Sequence, residues 1–249
     1  TFEEVIKLAE KSKVMWPIKP VDSISSFNTI AANLGNAINA KPGFFVDRSI
    51  GISILKMMKS LADLVPKNCL HMNPIQTLDY MSTHTDISYC PLLYGYSNYS
   101  RKGFRDSLVH FSNIPSFNEN KNNFSGSQLG GTGLAISKNT KNLEVALNYS
   151  FWVASETCQK DLYYNAGGQP GHLKAWENDK INNNCNNFFK NTLETLQKSW
   201  LRPRYDGYMY YQDIGGILVN NYLKGEASID VTINAMIEEF DKSLYVNKK

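Results

Sequence analysis

The architecture of this chain turns on the stretch Leu129-Gly130-Gly131-Thr132-Gly133-Leu134-Ala135-Ile136-Ser137. Its glycines lead into an apolar run, and Lys138 to Asn142 then hands over to a helical pattern with Leu143, Ala146, Leu147, Phe151 and Ala154 at its apolar positions. The spacing predicts a glycine-rich strand, then a helix that continues towards Tyr164. A phosphate-binding loop holds its glycines between strand and helix; these enter a strand, which argues against a dinucleotide site. Immediately upstream, 113–128 is polar, reads as a surface loop or hairpin, and separates two regimes of composition.

Working towards the start of the chain, Asp86 to Leu93 predicts a strand that opens into Tyr94-Gly95-Tyr96-Ser97-Asn98-Tyr99. Tyrosine combines a broad apolar face with a polar tip, and Gly95 permits close approach, so the cluster suits a polar ligand with flat faces, such as a sugar. The alternative is an edge strand whose aromatics shield a core. Before it, Phe2, Val5, Ile6 and Ala9 mark a short amphipathic helix, Val14 to Ile18 a strand, and Ile24 to Leu34 a helix. Asp47 is placed to cap a helix whose face runs from Ile50 to Val65 and which Pro66 stops; another helix spans about Pro74 to Met81. Beyond the glycine-rich stretch, Ala166 to Gly171 is a turn and Leu173 to Asn178 a short helical piece. An Asn-rich run and a helix from Phe188 to Trp200 follow, and two helical patterns close the chain, the last with Ile229, Ile233, Met236, Phe240 and Leu244 on one face. Helix and strand patterns that alternate in this way imply a layered α/β domain.

The 249 residues can bury a sizeable core in one large or two modest domains. A net charge of +3 with acids and bases interspersed is no nucleic-acid footprint, and no run approaches the roughly 20 apolar residues that span a bilayer. Thr1-Phe2-Glu3-Glu4 is a helix capping box at the very first residue, which favours a fragment that begins inside a longer protein. Cys69, Cys90, Cys158 and Cys185 lack any Cys-x-x-Cys spacing, so zinc or a redox pair is not indicated and core thiols are the expectation.

The order of these motifs resembles the carbohydrate-type solute-binding proteins of ABC importers, the maltose-binding-protein-like family. Thr1-Phe2-Glu3-Glu4-Val5 is similar to that family's Thr-Trp-Asp-Glu-Leu helix. Gly130 to Ser137 is similar to its Gly-Gly-x-Gly-Leu-Ala-Ile-Ser strand, with Ala146 and Phe151 at the helix positions that follow; Gly168-Gln169-Pro170 and Arg202-Pro203-Arg204 match later turns. The resemblance implies a periplasmic-binding-protein-like two-lobe (type II) α/β fold, N-terminally truncated by roughly the first third of a typical member. Residues 1–128 and 181–249 would then build the C-terminal lobe, and 129–180 the second-pass segment of the N-terminal lobe. Hydrophobic surface around Phe151 and Trp152 would be exposed unless the missing part is supplied. The implied role is reversible capture of a sugar or related polar solute in an interlobe cleft and delivery to a membrane permease, in the periplasm or outside the cell. No cofactor and no nucleic acid are implied, and the complete protein would be monomeric.

By the same resemblance Tyr94 and Tyr96 stand where aromatics stack on sugar rings, although Tyr96 has an alternative role packing into its lobe. Asn98 and Tyr99 could hydrogen-bond hydroxyls. Gly130, Gly131 and Thr132 sit where the chain crosses between lobes, and either reach the ligand or simply permit a hinge. Gln169 is a candidate polar contact or a helix-ending turn. Arg202 and Arg204, with Tyr205 and Tyr208 nearby, could donate to a hydroxyl or carboxylate or form structural salt bridges. Trp16, Lys19 and Asp22 flank an early strand-to-helix loop, the ligand-facing end of an open α/β sheet, with a core role the alternative for Trp16.

Two other readings compete. A glycoside hydrolase would pair Asp22 with Asp206 or Glu226, but only the presence of carboxylates supports the pairing. His71, His84, His110 and His172 show no metal spacing, and no Gly-x-Ser-x-Gly elbow occurs. A sensing receptor on the same fold is the third reading.

Overall fold

The computed structural model describes residues 1–245. Eleven α-helices are present among them: α1 (Phe2–Ala9), α2 (Pro20–Asn33), α3 (Arg48–Ala62), α4 (Pro74–Thr83), α5 (Leu143–Ala154), α6 (Glu156–Cys158), α7 (Leu173–Trp176), α8 (Asp179–Asn184), α9 (Phe188–Gln197), α10 (Tyr208–Lys224) and α11 (Ile229–Ser243). The chain divides into two compact units. The first holds Thr1–Tyr94, Asn113–Leu129 and the chain from Glu194 onward; the second holds Gly95–Ser112 and Gly130–Leu193.

In the first unit α1 begins as its sequence requires, with the Thr1 side chain accepting from the Glu4 backbone and the Glu4 side chain reaching back. α2 starts four residues before the expected Ile24, because Pro20 occupies the first helical turn, where its missing N–H costs nothing. Asp47 precedes α3 as expected but does not cap it: its Oδ2 accepts from Asn36 Nδ2 at 2.7 Å instead.

The expected strands Val14–Ile18 and Asp86–Leu93 do not form a ladder. Between them lies one isolated parallel bridge, Val14 with Tyr89. Pro17 and Pro91 follow that bridge on the two segments, and a proline has no N–H to continue the pairing. The buried backbone of 14–18 is satisfied otherwise: Ile18 N donates to Cys69 O at 3.0 Å, and Asn220 Nδ2 of α10 donates to Ile18 O at 2.6 Å. The core of this unit collects Trp16, Ile24, Phe27, Phe45, Ile54, Met58, Tyr211 and Phe240. α10 lies against α2 so closely that a Cβ on Gly216 would meet Pro20 O at 2.5 Å.

The second unit corrects two further expectations. Residues 130–137 form no strand: among the described residues they pair with nothing, and the only bridge nearby is Gln128 with Trp200 in the first unit. Without a neighbouring strand edge, an extended run so rich in glycine has no ladder to join. α5 does not continue to Tyr164 either. Ser155 turns extended (ψ 153°) after Ala154 and its hydroxyl caps α6, and a π-helical turn, Gln159–Tyr163, completes the segment. This unit has a small aromatic core of Tyr164, Trp176, Phe188 and Phe189. Phe151 and Trp152 are exposed, as the sequence leads one to expect, at 72% and 46%. Cys69, Cys158 and Cys185 are buried and Cys90 half-buried, all as free thiols. No described helix is long and apolar enough to cross a membrane.

Candidate functional site

The first unit contains a cavity of about 50 Å³ lined by Pro17, the α2 residues Asp22, Ser25, Ser26 and Thr29, then Leu92 to Tyr94, Ile114, Ser127 and Gln128. α2 supplies its floor. Asp22, Ser25 or Ser26, Thr29 and Asn33 recur at helical spacing, so they make one polar stripe, yet all are buried. Buried polar groups need partners, and the stripe finds them mainly in the 117–128 loop. Asn33 accepts from Phe117 N at 3.1 Å and donates to Ser125 O at 2.8 Å, which ties that loop to the helix. Gly126, at φ +86°, passes within contact of the Ala32–Asn33 backbone, where any side chain would clash.

Gln128 is the hub of the site. Its backbone N donates to Thr29 Oγ1 at 3.0 Å, and its Oε1 accepts from Asn28 Nδ2 at 2.9 Å. Its Nε2 donates both to Ser25 Oγ at 2.9 Å and to Tyr94 Oη at 2.6 Å. An amide nitrogen cannot accept, so the Tyr94 hydroxyl accepts here and keeps its own proton to donate elsewhere. Asp22 is the opposite case. It is 7% exposed and its Oδ2 has no hydrogen-bond partner. Burial pushes its carboxyl up to about 6, with Lys19 pulling weakly the other way. The cavity thus holds an unpaired acceptor in Asp22 Oδ2 and spare hydroxyl donors in Tyr94, Ser26 and Thr29, and its lining carries no Lys, Arg or His.

Of the residues singled out in the sequence, the structure brings Asp22 and Tyr94 together on this cavity. Trp16 and Tyr208 stand behind it. Trp16 is 1% exposed and donates from Nε1 to Ser26 Oγ at 3.2 Å; Tyr208 is 3% exposed and accepts from Asn28 Nδ2 at 3.3 Å, and its burial pushes the phenol well up. Lys19 is half-buried at the start of α2, Arg202 donates to Gln212 Oε1 at 2.7 Å, and Arg204 is exposed.

The remaining candidates belong to the second unit. Tyr96 is exposed and Asn98 half-buried, while Tyr99 is 4% exposed with its ring edge-on to Phe104. Gly95 gives its free space to the Phe188 and Phe111 rings, which a Cβ there would meet at 3.2 and 3.3 Å. Gln169 is spent on the tyrosine stretch itself: its Oε1 accepts from Ser97 N at 2.8 Å and its Nε2 donates to Gly95 O at 3.3 Å. Gly130, Gly131 and Thr132 are exposed.

Gln128, Ser25, Ser26 and Thr29 are site residues the sequence reading missed. The signal available was the polar stripe itself, on a helix whose other positions, Ile24, Phe27, Ile30 and Ala31, are apolar. Neither Asp206 nor Glu226 lines the cavity that holds Asp22, so no carboxylate pair is assembled there. Among the described residues no group of three or more His, Cys, Asp or Glu side chains is placed to hold a metal ion.

The chain has the fold of the two-lobed solute-binding proteins. It is similar to a maltose-bound MalE3 from T. maritima, at 17% identity and a TM-score of 0.81, over 97% of this chain and 65% of that one. It is also similar to an ABC transporter solute-binding protein from Agrobacterium radiobacter K84 in complex with ribitol (18% identity, TM-score 0.79, 97% and 64% covered). A third such protein, from Thermotoga lettingae TMO and bound with α-D-tagatose, gives 17% identity and a TM-score of 0.77 over 98% and 64%. The chain therefore spans just under two thirds of the length of these solved chains. No family model and no curated protein matches it.

Proposed function

We propose that this protein is the binding component of a sugar or polyol import system, which captures its solute reversibly and passes it to a membrane permease outside the cytoplasm. The observation that carries the reading is the buried Asp22 Oδ2 without a partner, in a cavity it shares with Tyr94. A carboxylate left so costs stability, and a protein keeps that cost where a ligand supplies the missing donor. The fold supports the same reading, since the similar solved proteins are named for solute binding and three hold maltose, ribitol and tagatose. No bond is made or broken: binding shifts a conformational equilibrium by the ligand's differential affinity for the two states.

A thermal-shift screen against sugars, polyols, amino acids and glycosides tests it. Stabilisation by one class of sugar or polyol is expected. Turnover of a glycoside without any shift sinks the transport reading and returns attention to Asp22 as an acid.

A further inference from the structure

We infer that the cavity on α2 takes adjacent hydroxyls of a neutral polyol, one donating to Asp22 Oδ2 and one accepting from the Tyr94 hydroxyl, and that it rejects sugars bearing a carboxylate or phosphate. The inference rests on the sugar-binding reading and narrows it to a charge class and two named contacts.

The hydrogen-bond inventory of the site leads there. Ser25 Oγ donates to Val21 O at 2.8 Å and accepts from Gln128, so it is used. Ser26 and Thr29 accept from Trp16 and from the Gln128 backbone and keep their own hydroxyl protons. Both Gln128 amide hydrogens are spent, and its oxygen is held by Asn28. What remains is one acceptor, Asp22 Oδ2, and the hydroxyl protons of Tyr94, Ser26 and Thr29, with Tyr94 the donor beside the cavity that is not on α2. An alcohol group both donates and accepts, so a pair of them satisfies both ends; an ammonium satisfies only the first and an anion only the second. An anion would also stand beside a carboxylate with no cation in the lining to offset it. The volume of about 50 Å³ leaves room for roughly three water-sized groups, which suits the hydroxylated edge of a ligand rather than a whole ring.

Isothermal titration calorimetry at neutral pH decides the matter, with the parent protein, Asp22→Asn and Tyr94→Phe. The ligands are D-mannitol, D-glucose and maltose beside the anionic counterparts D-glucuronate and glucose 6-phosphate. The parent is expected to bind at least one neutral compound and to bind each anion at least tenfold more weakly than its neutral counterpart. Asp22→Asn should weaken the neutral ligand about tenfold or more and Tyr94→Phe roughly three- to tenfold, while both variants melt cooperatively. Glucuronate binding as tightly as glucose overturns the inference, as does unchanged affinity in a folded Asp22→Asn or Tyr94→Phe. Those results leave a parent that still binds sugar, so the broader reading survives them. A parent that binds none of the neutral compounds overturns both.

Discussion

α10 and α5 are both rich in apolar and aromatic residues, and the structure treats them in opposite ways. α10 buries Tyr211, Gly215, Gly216, Val219 and Leu223 within the first unit. α5 buries nothing: Leu143, Val145, Tyr149 and Phe151 are all more than half exposed. Apolar character alone therefore does not place a side chain in a core; a second surface must come to cover it. What separates the two helices is the company they keep. α10 has small residues where α2 crosses it and Asn220 where buried carbonyls need a donor, whereas no residue of α5 is buried.

The widest test of this contrast truncates a phenylalanine that the first unit buries. Phe240 is 0% exposed, with ring neighbours Phe45 and Tyr211 each at 5.3 Å. Phe240→Ala should cost about 3–5 kcal/mol in urea unfolding, from lost burial and the cavity left behind. A cost under about 1 kcal/mol would mean that the first unit is no better packed there than α5.

The next effect has the opposite sign and concerns Asp22, a buried carboxylate with an unpaired oxygen in the first unit. Asp22 is held at about 6 in the folded state against an ordinary 3.8, so the folded protein binds the extra proton between those values. Stability contributed by that proton is full below about pH 3.8, falls as pH rises through the window, and is gone above about 6. Asp22→Asn removes the charge. Its stability advantage over the parent should be absent near pH 4 and grow to as much as roughly 3 kcal/mol by pH 7, read from unfolding curves across that range. An advantage independent of pH would show that Asp22 does not titrate as a buried acid.

These two tests also mark what could be read in the chain and what could not. Periodicity located α1, α3 and α11, and signalled a helical pattern before α11 without bounds, because each of these helices buries one face against a neighbour. The strands at 14–18 and 86–93 failed at Pro17 and Pro91, where the apolar pattern continues but the donors do not. Asp22 and Tyr94 were legible as site candidates, one from its place after a loop and the other from its aromatic cluster. Gln128 was not: it closes a polar stretch that reads as surface, and only the folded chain shows it 5% exposed with four hydrogen bonds. Gln169 was legible as a polar group at a turn, but not that Ser97 and Gly95 already occupy it.

A third test probes the company α10 keeps. Gly216→Ala puts a methyl against the Pro20 carbonyl, which is backbone and cannot rotate away. Moving α10 off α2 should cost about 1–3 kcal/mol, and because α2 carries Asp22, sugar affinity should fall with it. Unchanged stability would mean that the two helices are less tightly seated than their glycine contact requires.

The smallest expected effect is the most pointed. Phe151 is 72% exposed on α5, so Phe151→Ser removes little buried area and should shift unfolding free energy by less than about 0.5 kcal/mol. The same change takes a large exposed ring off a helix that also exposes Trp152 and Tyr149, and so should reduce concentration-dependent self-association in light scattering. Phe151 and Phe240 are chemically identical, and sequence periodicity assigns both to the apolar face of a helix. If Phe151→Ser cost as much as Phe240→Ala, α5 would have to be covered in solution, and the contrast between the two helices would collapse into one rule for both.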